Sequence, residues 1–309
     1  MSERLELSKR SMLPIHNSEL IMVYRIVCGI VFAVLLEAGQ IEPLEWSLTV
    51  EQELVEIIAE NELAERVYSE VVSQARESGL PPTFIKEVFS HNDIQIHDEI
   101  ARRFSNQAEA MAYRDYRKIF ITDERIQEGR EFDQKYGELV DAVADSFGVD
   151  RYLLLSIVGI ESHFGRNSKS YSVFDALHTI IHKVPRKEGW VTREMIAYLQ
   201  YCYENFISPH SIFGSYAGAF GYGQFIPSSF AAYAVDFNGD KVRHPFDWPD
   251  ALASVANYLV QNGYQQENPG FERGSPNWKA ILAYNPSANY GRVILEFRDK
   301  LRGKDVDAK

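Results

Sequence analysis

Cysteine is nearly absent from this chain: Cys28 and Cys202 are the two among 309 residues, and neither stands in a metal-ligand or lipobox-like spacing. A framework of several disulfides is therefore excluded as the source of stability. Positive charge is short as well. Lys and Arg number 32 against 44 Asp and Glu, for a net charge of −12, which removes the basic surface that a general grip on nucleic acid requires. Apolar runs are too few for a polytopic membrane protein, with a mean hydropathy of −0.26. No sustained alternation of apolar and polar residues marks half-buried strands, and no internal repeat or low-complexity tract is visible. What is present, 45% hydrophobic and 25% charged residues, is the composition of a globular protein long enough to bury a sizeable core.

The one long apolar run lies near the start. Lys9, Arg10 and Arg25 precede residues 26–36 (IVCGIVFAVLL), and small residues Ala38 and Gly39 follow. Basic flank, short apolar stretch and small residues together read as an export signal over 1–39. The run is shorter than the roughly twenty residues of a spanning helix, although Leu20 to Met22 extend it towards an N-terminal anchor. Met22 offers an alternative start, and a buried N-terminal helix is the alternative to export. If the segment is removed, Cys202 remains without an internal partner.

From Thr49 the pattern is helical. Thr49 and Gln52 form a capping box ahead of Leu54, Ile57 and Ile58. Gly79-Leu80-Pro81-Pro82 breaks the pattern, Thr83 starts a second helix, and Thr122 or Asp123 starts a third that runs through Leu139, Val140 and Val143 to Gly148. The C-terminal residues 303–309 read as a frayed tail. The fold class expected is mainly α.

Asp150 is a plausible N-cap for the next helix, whose Leu154, Ile157 and Val158 share a stripe. Glu161 falls on that stripe, seven residues after Leu154, in the last turn before Gly165. Burial and the negative end of the helix dipole both disfavour its ionisation there. A carboxyl held protonated near neutral pH is what protonating a glycosidic oxygen requires. The alternative is a structural carboxylate paired with Arg166.

Residues 214–229 (GSYAGAFGYGQFIPSS) place four glycines within ten positions, too many for a helix interior. Such density lets backbone approach a ligand closely, and Ser215, Tyr222 and Gln224 supply polar and stacking surface suited to sugars. A phosphate loop would need a Lys after the glycines and a strand before them. A tight helix crossing is the structural alternative. His178 and His182 stand four apart, but no HExxH pattern or third ligand makes them a zinc site. Cys202, among Tyr201, Tyr203 and Phe206, reads as core.

Together these stretches resemble the lytic murein transglycosylases of the membrane-bound B type, glycoside hydrolase family 103. The resemblance is carried by Gly159-Ile160-Glu161-Ser162-His163-Phe164-Gly165, Asp175-Ala176-Leu177, residues 214–229, Ala234-Val235-Asp236-Phe237-Asn238-Gly239-Asp240, Trp248-Pro249-Asp250-Ala251, Ser254-Val255-Ala256-Asn257-Tyr258 and Ala283-Tyr284-Asn285-Pro286-Ser287, in that order. It extends from about residue 80 to about 300. It implies a lysozyme-like catalytic domain at 149–302, with a helical part at 47–148 packed against it. It also implies cleavage of peptidoglycan glycan strands between N-acetylmuramic acid and N-acetylglucosamine with a 1,6-anhydro product. Glu161 would be the catalytic group, and Ser215, Gln224, Tyr258, Tyr284, Asn285 and Tyr290 would line the glycan cleft. No cofactor is implied for the chemistry, and the setting is the periplasm or cell envelope, with membrane attachment through the N-terminal segment. Better-known members carry a small β-rich subdomain between the positions of Gly263 and Ala283, where this chain has about twenty residues. A hydrolytic muramidase and a silent peptidoglycan-binding scaffold are the rival functions.

Asp236-Phe237-Asn238-Gly239-Asp240 has the alternating oxygens that begin an EF-hand loop. Lys241 stands where that loop wants glycine, and Asp247 where it wants glutamate. The resembling family closes a longer loop at the position of Asp250, with the backbone oxygen of Val242 as a further ligand. Structural calcium on Asp236, Asn238, Asp240, Val242 and Asp250 is one expectation. A turn in which Asp247 and Asp250 merely cap the following helix is the other.

Overall fold

Helix boundaries follow the caps and breakers of the sequence. The computed structural model describes residues 66–105, 111–166 and 170–303, within the compact unit Glu60–Lys309. The export segment and the Thr49–Gln52 capping box lie outside the described residues. Helix α1 (66–77) ends before Gly79. Helix α2 (Pro82–Phe89) begins one residue ahead of Thr83, because proline at the first helical position forfeits no needed hydrogen bond. Helices α3 (Asp98–Ser105) and α4 (Tyr113–Phe120) are short. Helix α5 (Asp123–Phe147) is capped by Thr122, whose hydroxyl accepts from the Arg125 N–H, and stops at Gly148.

Helix α6 (Arg151–Ser162) starts as expected at Asp150, which accepts from the Leu153 N–H. Leu153 to Ile160 are all buried, so this helix is surrounded rather than one-sided. It ends earlier than Gly165 suggests. His163 and Phe164 already adopt left-handed backbone, at φ 53 and 52. The buried Phe164 ring holds that turn against Phe132 and Phe297 at centroid distances of 5.2 and 6.3 Å. Ser162 Oγ accepts from the Gly165 N–H at 3.2 Å.

Strand β1 (Tyr171–Ser172) pairs antiparallel with β2 (Phe213–Gly214). Between them run α7 (Val173–Lys183), a 3-10 turn at Pro185–Lys187 and α8 (Glu188–Glu204). Helices α9 (Pro227–Tyr233), α10 (Trp248–Gln261), α11 (Pro276–Tyr284) and α12 (Ala288–Leu301) complete the chain. No helix among the described residues is long and apolar enough to cross a membrane.

Helix α6 packs most extensively on α12 and α5, and α10 packs on α5. The α6–α12 pair is antiparallel and tied at both ends. Arg298 Nε donates to Asp150 Oδ1 at 3.0 Å at one end, and Tyr290 donates to Glu161 at the other. Gly159 permits the close approach: a Cβ there would lie 2.6 Å from the Phe297 ring and 2.7 Å from that of Phe164. Cys202 is fully buried in the core as expected, and burial pushes its thiol up to about 12. His178 is likewise packed, its ring against Phe174 and 4.6 Å from that of His182.

Candidate active site

Glu161 emerges at the C-terminal turn of α6, half-buried where its neighbours are fully buried. Its Oε1 accepts from the Tyr290 hydroxyl at 2.7 Å. Burial pushes its carboxyl up to about 7, against the pull of the Tyr290 hydrogen bond in the other direction. Arg166, the cation considered as a structural partner, is engaged elsewhere, on Glu128 and on Glu131 at 3.7 Å. Glu128 also pairs with His163, so the turn after Glu161 is fastened to α5.

Among the described residues, three phenols sense the charge of Glu161. Tyr284 and Tyr290 are pushed well above the usual tyrosine range by burial and then by Glu161. Tyr116, on α4, is raised by the same two causes. All three therefore remain hydrogen-bond donors beside the carboxyl throughout the physiological range. Tyr116 was not legible as a site residue in the sequence, because α4 carries no motif and its distance from Glu161 along the chain hides the pairing.

Tyr284 donates to the Gly223 carbonyl at 2.5 Å, joining α11 to the glycine-rich loop. Tyr258 donates to the Ala283 carbonyl at 2.7 Å, and its ring lies 4.8 Å from that of Tyr284 and 5.7 Å from that of Phe225. Tyr233, 4.6 Å from Tyr258, extends this aromatic wall. Asn285 follows as the C-cap of α11, its Oδ1 accepting from the Ser287 N–H at 3.3 Å.

The loop itself is built by short-range bonds. Ser215 Oγ accepts from the N–H groups of Ala217 at 3.2 Å and Ala219 at 3.1 Å. Gln224, held at φ 50, donates from Nε2 to the Gly221 carbonyl at 2.8 Å. Tyr222 differs from the sequence expectation, since one face of its ring is stacked on Trp248 at 3.9 Å instead of being open to a sugar. The loop runs into α9, whose N-cap Ile226 provides no side-chain bond. Glu194 of α8 supplies it, accepting from the Ser228 N–H and from its hydroxyl at 2.8 Å each. Nothing in the local sequence marked Glu194, because a cap delivered by another helix leaves no local pattern.

Gly221 shows why this loop needs glycine. It sits at φ 78, and a Cβ would meet the Pro245 carbonyl oxygen and Cβ at 2.7 Å. The neighbouring Tyr222 N–H donates to that carbonyl at 2.8 Å. Gly221→Ala is expected to cost about 1–3 kcal/mol through backbone strain, read as a lower melting temperature. Unchanged melting would show that the loop adapts freely.

The stretch expected to hold calcium folds as a tight loop, and its acidic groups converge. Carboxylate oxygens of Asp236, Asp240 and Asp250 lie within 4.8 Å of one another. Asp236 accepts from Gly239 at 2.7 Å and Lys241 at 2.8 Å, Asn238 Oδ1 from Asp240 at 2.9 Å, and Asp240 from Val242 at 2.8 Å. Asp250, buried at 1% exposure, accepts from Phe237 and His244 at 2.8 Å each. Asp247 occupies the N-cap position of α10 without a side-chain cap hydrogen bond, and the bonds formed by Asp250 run to the loop. Among the described residues no Lys or Arg forms an ion pair with the three carboxylates. Three like charges so placed fit a hard divalent cation. Lys241 adopts φ 75, the left-handed backbone that glycine supplies in the standard loop.

The family described as Transglycosylase SLT domain matches residues 64–273. Membrane-bound lytic murein transglycosylase B of Escherichia coli (strain K12) is 34% identical over 177 residues, covering 54% of this chain and 49% of that protein. The chain thus spans about half the length of this curated relative. Among solved structures, soluble lytic transglycosylase SltB1 from Pseudomonas aeruginosa is 30% identical with a TM-score of 0.70, over 78% of this chain and 99% of that one. The Escherichia coli lytic transglycosylase SLT35, solved in complex with calcium, is 25% identical with a TM-score of 0.70, over 78% and 93%. The mainly α, lysozyme-like architecture is common to them.

Proposed function

This chain belongs to the Transglycosylase SLT domain family, and on that premise we propose that it is a lytic transglycosylase that cleaves the β-1,4 bond between N-acetylmuramic acid and N-acetylglucosamine in peptidoglycan. The observation that carries the reading is a carboxyl, Glu161, pushed up to about 7 and hydrogen-bonded by the Tyr290 phenol. Protonated, it donates to the glycosidic oxygen as the bond from that oxygen to the muramic acid C1 breaks. The substrate's own acetamido group stabilises the positive charge at C1. The carboxylate so formed takes the proton from the 6-hydroxyl, whose oxygen bonds to C1 and closes the 1,6-anhydro ring. One group serves as acid and then base, so the reading needs no second carboxylate of the kind that hydrolysis uses.

Tyr290 orients Glu161 through its hydrogen bond. Tyr258, Tyr284, Asn285, Ser215 and Gln224 line the path of the glycan, the last two across the glycine-rich loop. Asp236, Asn238, Asp240, the Val242 carbonyl and Asp250 hold a structural calcium, which neutralises the loop and takes no part in the chemistry. The substrate lies outside the cytoplasm, so the reading includes export through residues 1–39 and a place in the periplasm or cell envelope. Attachment to a membrane through the same segment belongs to the proposal, and the name of the Escherichia coli relative supports it.

Mass analysis of products from purified sacculi tests the reaction. Anhydro-muropeptides are expected. Reducing ends would identify a hydrolytic muramidase, and binding without release would identify a scaffold. The alkaline limb of kcat/KM should fall near pH 7, as Glu161 loses the proton it must donate. A limb governed by an ordinary carboxyl near pH 4–5 would remove Glu161 from the acid role.

A further inference from the structure

Helix α4 carries Tyr116, whose phenol feels the charge of Glu161, yet none of its eight residues, Tyr113–Phe120, is fully buried. A helix this short is marginal on its own, and its apolar residues Tyr113, Tyr116 and Phe120 are only partly buried where they pack against the core. Its principal packing partner is α12, and a set of polar bonds ties the two helices together. The Glu296 carboxylate accepts from the Tyr113 hydroxyl at 2.5 Å and from Arg117 Nε at 2.9 and 3.1 Å, with Arg117 Nη2 adding a further bond. The Arg292 guanidinium lies 3.5 Å from the centroid of the Tyr113 ring. Asn289 Nδ2 donates to the Met111 carbonyl at 2.8 Å.

These anchors have a common geometry. Asn289, Arg292 and Glu296 recur at helical spacing on one face of α12, the helix whose first turn carries Tyr290. Tyr113 and Arg117 are four apart on α4, with Tyr116 between them. The Glu296 side chain is 11% exposed and that of Arg117 34%, so the carboxylate end of the clamp is shielded from water, which strengthens its charge-assisted bonds. Against the upward push of burial, the hydrogen bonds from Arg117 and Tyr113 hold the Glu296 carboxyl below its usual range.

We propose that Glu296 is a positioning residue: by clamping Tyr113 and Arg117 it fixes α4 as a roof, and the roof keeps Tyr116 over Glu161 and water away from the acid. The inference rests on the assignment of Glu161 as the proton donor. Among the described residues, Tyr290 of α12 and Tyr284 of α11 also feel the charge of Glu161, and the His163–Glu128 pair holds the turn that follows it. None of them belongs to the clamp, so releasing α4 removes cover without removing those partners. Glu296 never touches the reacting atoms. It acts by setting how well the carboxyl is desolvated, and desolvation is the leading cause of that group's raised pKa.

The test uses the full chain with Glu296→Ala, and Tyr113→Phe as a milder variant that loses one hydrogen bond. Hydrogen exchange of the α4 amides and the carbon-13 titration of the Glu161 carboxyl are measured, together with the pH profile of glycan cleavage. In Glu296→Ala, α4 should exchange faster, and Glu161 should titrate about one unit lower as it regains water, with the alkaline limb of kcat/KM moving by the same amount. Tyr113→Phe should shift both in the same direction by less. A purely structural role would lower melting and leave the Glu161 titration in place. An unchanged titration in folded Glu296→Ala, or in Tyr113→Phe if the first variant does not fold, overturns the clamp. If wild type cleaves no glycan, the functional reading fails, while the exchange and titration still decide the clamp.

Discussion

Glu161→Gln should lower glycan cleavage by at least the 10²–10⁴-fold that general acid catalysis typically contributes, because the amide cannot release a proton and the same group serves both halves of the reaction. The variant keeps the shape and an acceptor for the Tyr290 hydroxyl, which bonds Oε1 at 2.7 Å. Stability should move the other way. The folded-state pKa of Glu161 is raised from 4.5 to about 7, so the folded protein holds a proton that the unfolded chain has released. The stability linked to that proton is fully present below about pH 4.5 and is lost as the pH rises through 7. A difference of about 2.5 units corresponds to about 3 kcal/mol as an upper bound. Glutamine escapes this loss. Glu161→Gln should therefore melt above wild type at pH 8, and the two melting curves should converge as the pH falls below 4.5. A variant that retains wild-type turnover ends the one-carboxylate mechanism, and one that is destabilised at pH 8 contradicts the desolvated acid.

The divide between what the sequence disclosed and what it hid follows the range of the interactions. Asp150 and Thr122 cap their helices with bonds to residues three positions on, and such bonds leave a pattern that can be read locally. Glu161 stood out because a carboxyl on an apolar stripe breaks the periodicity around it. The glycine-rich loop was legible because its backbone needs show in composition. Its tether was not: Tyr222 stacks on Trp248 of another helix, and Glu194 caps α9 from α8. Tyr290, 129 residues from Glu161 along the chain, entered the site through family resemblance alone, since no periodicity links α6 to α12. Helix α4 is the extreme case. Its apolar residues Tyr113, Tyr116 and Phe120 are only partly buried against the core, and a pattern of Tyr, Arg and Asp reads as a solvated surface until Glu296 is placed opposite it.

The early stop of α6 has the same origin. Glycine at position 165 is a sound C-terminal signal, but the turn begins at His163, where ordinary residues rarely take left-handed backbone. Burial of the Phe164 ring and the hold of Glu128 on His163 outweigh the local preference. The consequence lies at the site. Ending the helix at Ser162 leaves Glu161 in the terminal turn, with one side open to a substrate.

Calcium should raise the melting temperature of the chelator-treated protein by several degrees. At a free concentration about one hundred times Kd, binding to the folded form alone adds about 2.7 kcal/mol, which is a few degrees for a domain of this size. The aspartates separate two contributions. Asp240 is exposed, and its carboxylate accepts from one loop N–H, that of Val242, so Asp240→Ala should abolish most of the calcium-dependent rise while changing the chelated protein little. Asp250 is buried and accepts from Phe237 and His244. Asp250→Ala should therefore lose the calcium response and also melt lower in chelator, by about 1–3 kcal/mol for each N–H left unpaired. Burial raises the pKa of Glu161 and none of these aspartates is among the causes, so product chemistry in Asp240→Ala should remain that of wild type. A loop serving only as a turn predicts a flat calcium titration of the wild type. In that case the three converging carboxylates should repel one another, and Asp240→Ala should melt above wild type with or without the metal.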